Sequence, residues 1–201
     1  MRRIIHSVEE EATKAWGATM SSFVFLKKFI GNPKQIGSIT PSSRYLAQEM
    51  TRVVPWDRIR SVAELGSGTG AVTQYIESRL AHPAKVFLFE KDQQLRQELS
   101  RQYPEFICGS DALQMSRLIR HYGVDQLDCI ISGLPFFNFD PKLRARLAGE
   151  IAKNLKSGGY LVAFQYSLQM KPVFESLFEM ERIKFVPLNI PPAFVYVCRK
   201  R

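Results

Sequence analysis

The run Val62-Ala63-Glu64-Leu65-Gly66-Ser67-Gly68-Thr69-Gly70 carries an acid followed by three glycines at alternate positions. Glycine adopts backbone angles closed to other residues, so such a run turns sharply and brings its amides close to a ligand. A helix that follows offers its N-terminal N–H groups to a polar group. Alone, the pattern is shared by nucleotide sites and ordinary tight turns. Glu90 adds to it: twenty residues past Gly70, at the end of the next apolar run, its carboxylate is placed to accept both hydroxyls of a ribose. Asp111, in Cys108-Gly109-Ser110-Asp111-Ala112, follows a third apolar run and offers an acceptor for an amine such as that of adenine, a duty it can combine with capping a helix. A fourth run ends in Ile131-Ser132-Gly133-Leu134-Pro135-Phe136-Phe137-Asn138, where the carbonyls of Gly133 and Leu134 can direct an amine.

For these residues to meet, the chain needs a parallel sheet whose strands all end on one side. Short apolar runs predict strands at Ser61–Leu65, Lys85–Glu90, Phe106–Cys108, Gln126–Ser132 and Tyr160–Tyr166. Between them, helices are predicted near Gly70–Leu80, Gln93–Gln102, Asp111–Tyr122 and Lys142–Leu155, with Gly158-Gly159 read as a helix stop. Ile183–Leu188 and Phe194–Arg199 read as extended segments joined through Asn189-Ile190-Pro191-Pro192. The alternation predicts an α/β fold with helices on both faces.

The first sixty residues differ in kind. Ala15–Ile30 places Trp16, Met20, Phe23 and Val24 on one helical face, flanked by Lys14, Lys27 and Lys28. Ten Lys or Arg stand against five acids in residues 1–60, more than half of the chain's net charge of +9. Such a basic amphipathic helix suits either a membrane surface or a cover over its own domain. The 201 residues, 45% of them hydrophobic, suffice for one domain with an extension, divided here as 1–55 and 56–201. Cys108, Cys129 and Cys198 lack metal-ligand spacing and read as buried thiols of a reducing compartment, and no apolar run approaches the roughly 18 residues of a spanning helix.

Together the glycine run, Glu90 and Asp111 resemble the class I S-adenosylmethionine-dependent methyltransferases over residues 61–201. The resemblance implies a Rossmann-like, seven-stranded sheet with an antiparallel last strand. It implies S-adenosylmethionine as cofactor, S-adenosylhomocysteine as product, and no metal. Glu64, Gly66, Ser67 and Gly68 would surround the methionyl portion, Glu90 would take the ribose, Asp111 with Ala112 would face adenine, and Ser132 would border the cofactor. A nicotinamide dinucleotide site competes weakly, because the acid here precedes the first glycine. Ser132-Gly133-Leu134-Pro135-Phe136 is similar to the Asn-Leu-Pro-Tyr element of the ribosomal RNA adenine dimethylases, with Gly133 and Phe136 in place of Asn and Tyr.

Phe25 through Arg44, containing Gly31-Asn32-Pro33 and Thr40-Pro41-Ser42-Ser43-Arg44, looks like the N-terminal signature of the bacterial phospholipid N-methyltransferases, as do Ser132-Gly133-Leu134-Pro135 and Asn189-Ile190-Pro191-Pro192-Ala193. That likeness implies stepwise methylation of the amine of phosphatidylethanolamine, or of its methylated derivatives. It places the enzyme on the inner face of the cell membrane, with an anionic membrane surface and the phospholipid as partners and no stable nucleic acid partner. The expected duties are Gly133, Leu134 and Tyr166 at the reacting amine, with Tyr166 and Tyr45 as candidate bases; Arg44 on the lipid phosphate; and Tyr45 and Phe136 against the substrate. A ribosomal RNA adenine N6-methyltransferase and a non-catalytic membrane- or RNA-binding module with a vestigial site are the alternatives.

Overall fold

The computed structural model describes residues 43–201. The expected helix at Ala15–Ile30, and with it the basic anchor, lies outside the described residues. Its chain runs α1 (Arg44–Arg52), β1 (Ser61–Leu65), α2 (Thr73–Arg79), β2 (Lys85–Phe89), α3 (Gln93–Gln102), β3 (Ile107–Gly109), α4 (Met115–His121), β4 (Leu127–Ser132), α5 (Pro141–Asn154), β5 (Leu155–Gln165), α6 (Lys171–Leu177), β6 (Phe178–Val186) and β7 (Ala193–Lys200). The strands form one sheet in the order β3-β2-β1-β4-β5-β7-β6. The first five are parallel to one another. β7 runs antiparallel to both β5 and β6. This is the expected Rossmann-like, seven-stranded sheet, with the reversed last strand inserted one place in from the edge.

Alternation along the strands sorts the core into two layers. Val62, Val86, Leu88, Cys129, Ile131 and Val162 face α1, α2 and α3 through Leu46, Met50, Ile76 and Leu99. Ala63, Leu65, Phe87, Ile130, Leu161 and Ala163 face α4, α5 and α6 through Ile119, Ile151 and Phe174. A sheet apolar on both faces must be covered on both, which is why its strands read as continuous apolar runs. At the amino end of the sheet, Asp128 of β4 accepts the amides of Arg60 and Ser61 at 2.8 and 2.9 Å, tying β1 to β4.

Three features differ from the sequence expectation. β5 begins at Leu155, directly after α5, because Leu155 pairs with Leu127 and the chain then bulges before Tyr160 pairs with Cys129. Gly158-Gly159 therefore shapes that bulge and does not cap a helix. Helix α6, short and carrying a proline in its first turn, gave too little periodicity to be seen in the sequence. β6 starts five residues earlier than expected, since Phe178 already pairs with Lys200.

The residue 55 boundary also meets a continuous core. Leu46, Ala47 and Met50 of α1 are inaccessible to solvent and pack in the same layer as Val162 and Val197. Trp56 donates its indole N–H to the Thr51 carbonyl at 2.7 Å, across the expected division. No helix among the described residues is long and apolar enough to cross a membrane. Leu46→Ala is expected to destabilise the protein by about 2–5 kcal/mol in urea denaturation, the cost of a buried leucine; a change below about 0.5 kcal/mol would show that α1 is not part of the domain core.

Candidate functional site

The strand order reverses between β1 and β4, and in open α/β sheets that point leaves a crevice at the carboxyl ends of the strands. The residues singled out in the sequence converge there. The turn after β1 is pinned to β2: Gly66 and Ser67 donate their amides to the Phe89 carbonyl at 2.7 and 3.2 Å. Gly66, Gly68 and Gly70 all have positive φ, so the turn needs glycine at each. Glu90 closes it. One carboxylate oxygen accepts the Gly68 amide at 2.8 Å and the other accepts the Asp92 amide at 2.8 Å. Both in-plane directions are thereby set, and each oxygen keeps a lone pair for a hydroxyl.

Glu64 sits elsewhere than beside the turn's surface. Its side chain points into the layer beneath α2, where it is 2% exposed and accepts the Thr73 hydroxyl at 2.6 Å. Burial pushes its carboxyl up to about 8, opposed by the Thr73 hydrogen bond and reinforced by the nearby Glu90 charge. Glu64 thus fixes the start of α2 from below the turn. Ser67 differs again: its hydroxyl oxygen is buried and finds no hydrogen-bond partner among the described residues. A Cβ added at Gly68 would meet nothing within 4 Å. A buried hydroxyl without a partner beside an open turn fits a polar ligand such as the methionyl part of S-adenosylmethionine. Next along the sheet edge, Glu90 donates its amide to the Gly109 carbonyl, so Asp111 and Ala112 follow immediately beside it. Asp111 caps the short turn Ala112–Gln114 by accepting the Leu113 amide at 2.9 Å, which spends one oxygen and leaves the other.

The β4 end meets this turn backbone to backbone. Gly133 donates its amide to Leu65 at 2.8 Å, and a Cβ added at Gly133 would lie 3.2 Å from the Gly66 carbonyl oxygen. A side chain such as Asn would therefore crowd the Gly66 carbonyl, which would have to give by a few tenths of an ångström. Ser132 is buried and its hydroxyl accepts the Leu134 amide at 3.3 Å, which shapes the bend.

Two expected duties are corrected here. The Leu134 carbonyl, expected to direct an amine, already accepts the Phe136 amide and the Gln165 side-chain amide, both at 2.9 Å, which saturates its two lone pairs. The Gly133 carbonyl accepts no hydrogen bond among the described residues and remains as the acceptor. Phe136, expected against the substrate, is buried among Phe139 and Phe174, with ring centroids 6.1 and 5.7 Å away. It holds the bend from beneath and cannot stack on a ligand. Tyr166, expected as a base, has its phenol pushed above its ordinary range by burial, against the effect of a hydrogen bond with Asn189.

Arg44 and Tyr45 lie at the N-terminus of α1, where the Arg44 guanidinium donates to the Tyr45 hydroxyl at 3.1 Å and covers its ring at 5.0 Å. Both face solvent. Sequence reasoning gave no role to Thr73 or Gln165, and used Asn189 only as part of a motif. Gln165, next to Tyr166 at the end of β5, was the legible signal, since a buried amide in an apolar strand needs partners.

Two outcomes follow from the paired carboxylates. Glu90→Ala, which leaves two amides without acceptors and removes the carboxylate expected at the ribose, is expected to weaken S-adenosylhomocysteine binding roughly tenfold or more in calorimetry, the scale of one charged hydrogen bond. Folded Glu64 holds its proton to about pH 8, whereas the unfolded chain releases it near 4.5. The folded state therefore binds the extra proton between those values, and stability falls as pH rises through that window. Glu64→Gln, which keeps an acceptor for Thr73, is expected to show a flat urea midpoint from pH 5 to 8 where the parent declines.

No protein-family model matches the sequence. Two solved structures are similar in fold: the N-methyltransferase NodS from Bradyrhizobium japonicum in complex with S-adenosyl-L-homocysteine, with a TM-score of 0.62 at 13% identity over 89% of this chain and 98% of that one, and a TehB-like S-adenosylmethionine-dependent methyltransferase from Corynebacterium glutamicum, with a TM-score of 0.56 at 17% identity over 90% and 99%. In sequence, the chain is 30% identical over 185 residues to an ornithine lipid N-methyltransferase from Singulisphaera acidiphila, covering 88% of this chain and 95% of the relative. With the glycine turn, the Glu90 carboxylate and the reversed seventh strand in place, the chain belongs to the class I S-adenosylmethionine-dependent methyltransferases, in the family of that lipid N-methyltransferase.

Proposed function

We propose that this enzyme methylates a primary alkyl amine in the headgroup of a membrane lipid, at the inner face of the cell membrane. The single observation that carries the reading is the kinship, over nearly the full length, with an enzyme named for N-methylation of ornithine lipid. The headgroup of phosphatidylethanolamine, favoured by the N-terminal signature, offers the same kind of nitrogen. Bound in the turn, S-adenosylmethionine supplies an electrophilic sulfonium methyl that a neutral amine can take by in-line displacement.

The duties then divide by position. Ser67 Oγ holds the methionyl portion, Glu90 the ribose, and Asp111 with Ala112 the adenine. The Gly133 carbonyl accepts a hydrogen from the substrate amine and directs its lone pair. Gln165 serves by occupying Leu134, which keeps the bend in one shape. Arg44 answers a headgroup anion. Orientation of this kind can supply about 7–11 kcal/mol of the barrier in well-aligned systems. The neutral amine is the reacting form of an ammonium with a reference value of about 10.4, so the rate should climb with pH between 6 and 9. Burial of Phe136 removes the ring that stacking on an RNA base would require, which favours the lipid over the RNA reading.

Purified full-length protein with methyl-labelled S-adenosylmethionine is expected to label the lipid fraction of vesicles containing phosphatidylethanolamine or ornithine lipid, and the preferred vesicle identifies the headgroup. Label in ribosomal RNA and in neither lipid, with S-adenosylhomocysteine binding intact, would sink the proposal.

A further inference from the structure

The loop between β6 and β7 turns aliphatic side chains toward solvent. Ile190 is 83% exposed and Leu188 61%, while Asn189 between them is 3% exposed. The Asn189 side chain accepts the Ser43 amide at 3.0 Å and donates to the Pro191 carbonyl at 2.7 Å. Pro187, Pro191 and Pro192 restrict the backbone around it. One buried amide thus holds the loop from inside, and the residues left outside are the apolar ones, the inverse of an ordinary polar loop. Single exposed aliphatic residues are common on soluble proteins. A pair flanking a buried polar anchor, on a loop stiffened by three prolines, is a built arrangement.

Its place in the fold matters as much. β6 and β5 are both antiparallel to β7, so the chain leaves Val186 at the same end of the sheet as the glycine turn and Tyr166. The hydrogen bond to Ser43 also draws in the start of α1. There Tyr45 is 39% exposed, and Arg44 makes no ion pair with an acid among the described residues. Aliphatic tips, a phenol and a guanidinium on one rim match the layered chemistry of a bilayer boundary, which runs from acyl chain to headgroup to anionic surface. The net charge of +9 adds attraction to an anionic leaflet.

We propose that the loop of residues 187–192, with Arg44 and Tyr45 beside it, is a membrane-seating rim that inserts Leu188 and Ile190 into an anionic lipid leaflet at the mouth of the site. It rests on the proposed lipid substrate only in saying what the rim would deliver. The seat itself is a claim about binding.

The test uses the full chain and vesicles of phosphatidylglycerol with phosphatidylethanolamine. The double variant Leu188→Ser, Ile190→Ser is expected to lose about 10- to 100-fold in vesicle partition by sedimentation, as befits two aliphatic side chains. S-Adenosylhomocysteine affinity should stay unchanged, which reports an intact fold. Tyr122→Ser, exposed at the opposite end of the sheet, should partition as the parent does. In Ile190→Trp, emission beyond that of the parent should be quenched by brominated lipid. Unchanged partition of the double variant, equal loss in Tyr122→Ser, or emission from Ile190→Trp that brominated lipid leaves untouched would each overturn the seat. Partition that depends on positions 188 and 190 with no lipid methylated would keep the seat and reject the substrate. Unchanged partition of the double variant together with full methylation of vesicle lipid would do the reverse.

Discussion

The loops after β1 and β4 meet without side chains between them, Gly66 against Gly133, at the point where the strand order reverses. A Cβ on Gly133 would crowd the Gly66 carbonyl at 3.2 Å, and one on Gly66 would crowd Leu134 at the same distance. That close approach puts the turn that fits the cofactor beside the carbonyl available to direct an amine. With glycine at position 133, only backbone atoms are offered there.

Two carboxylates at neighbouring strand ends serve this crevice in different ways. Glu90 reaches the surface of the turn, takes two backbone amides, and is held in one orientation with lone pairs to spare. Glu64 points the other way, into an apolar layer with one hydroxyl for company, and burial keeps it protonated to about 8. Alternation along a strand decides this: Ala63 and Leu65 face α4–α6, so Glu64 must face α2. One acid therefore lies at the surface of the crevice and the other in its foundation.

Asn189 joins the β6–β7 loop to the start of α1: through Ser43 it reaches the first helix and through Pro191 its own loop. A buried amide with every polar atom engaged specifies a single arrangement, because any alternative leaves one of its groups unsatisfied. The consequence is a fixed rim at the mouth of the crevice, apolar where the loop projects and cationic at Arg44.

The amino-acid order by itself determined the alternation of strands and helices, the glycine turn, and the acids at 90 and 111, because each rests on local rules: periodicity, turn chemistry and spacing. It also carried the family likeness. It misread Gly158-Gly159, α6 and the roles of Leu134 and Phe136, since a bulge, a short proline-led helix and the saturation of a carbonyl depend on partners distant in the chain. Gln165 lies 31 residues from the carbonyl it occupies, and Asn189 lies 146 residues from Ser43. Which carbonyl stays free, which ring is buried and which loop meets solvent were decided only when the sheet closed. Hydrogen-bond capacity and burial are properties of neighbours in space, and the sequence names neighbours only along the chain.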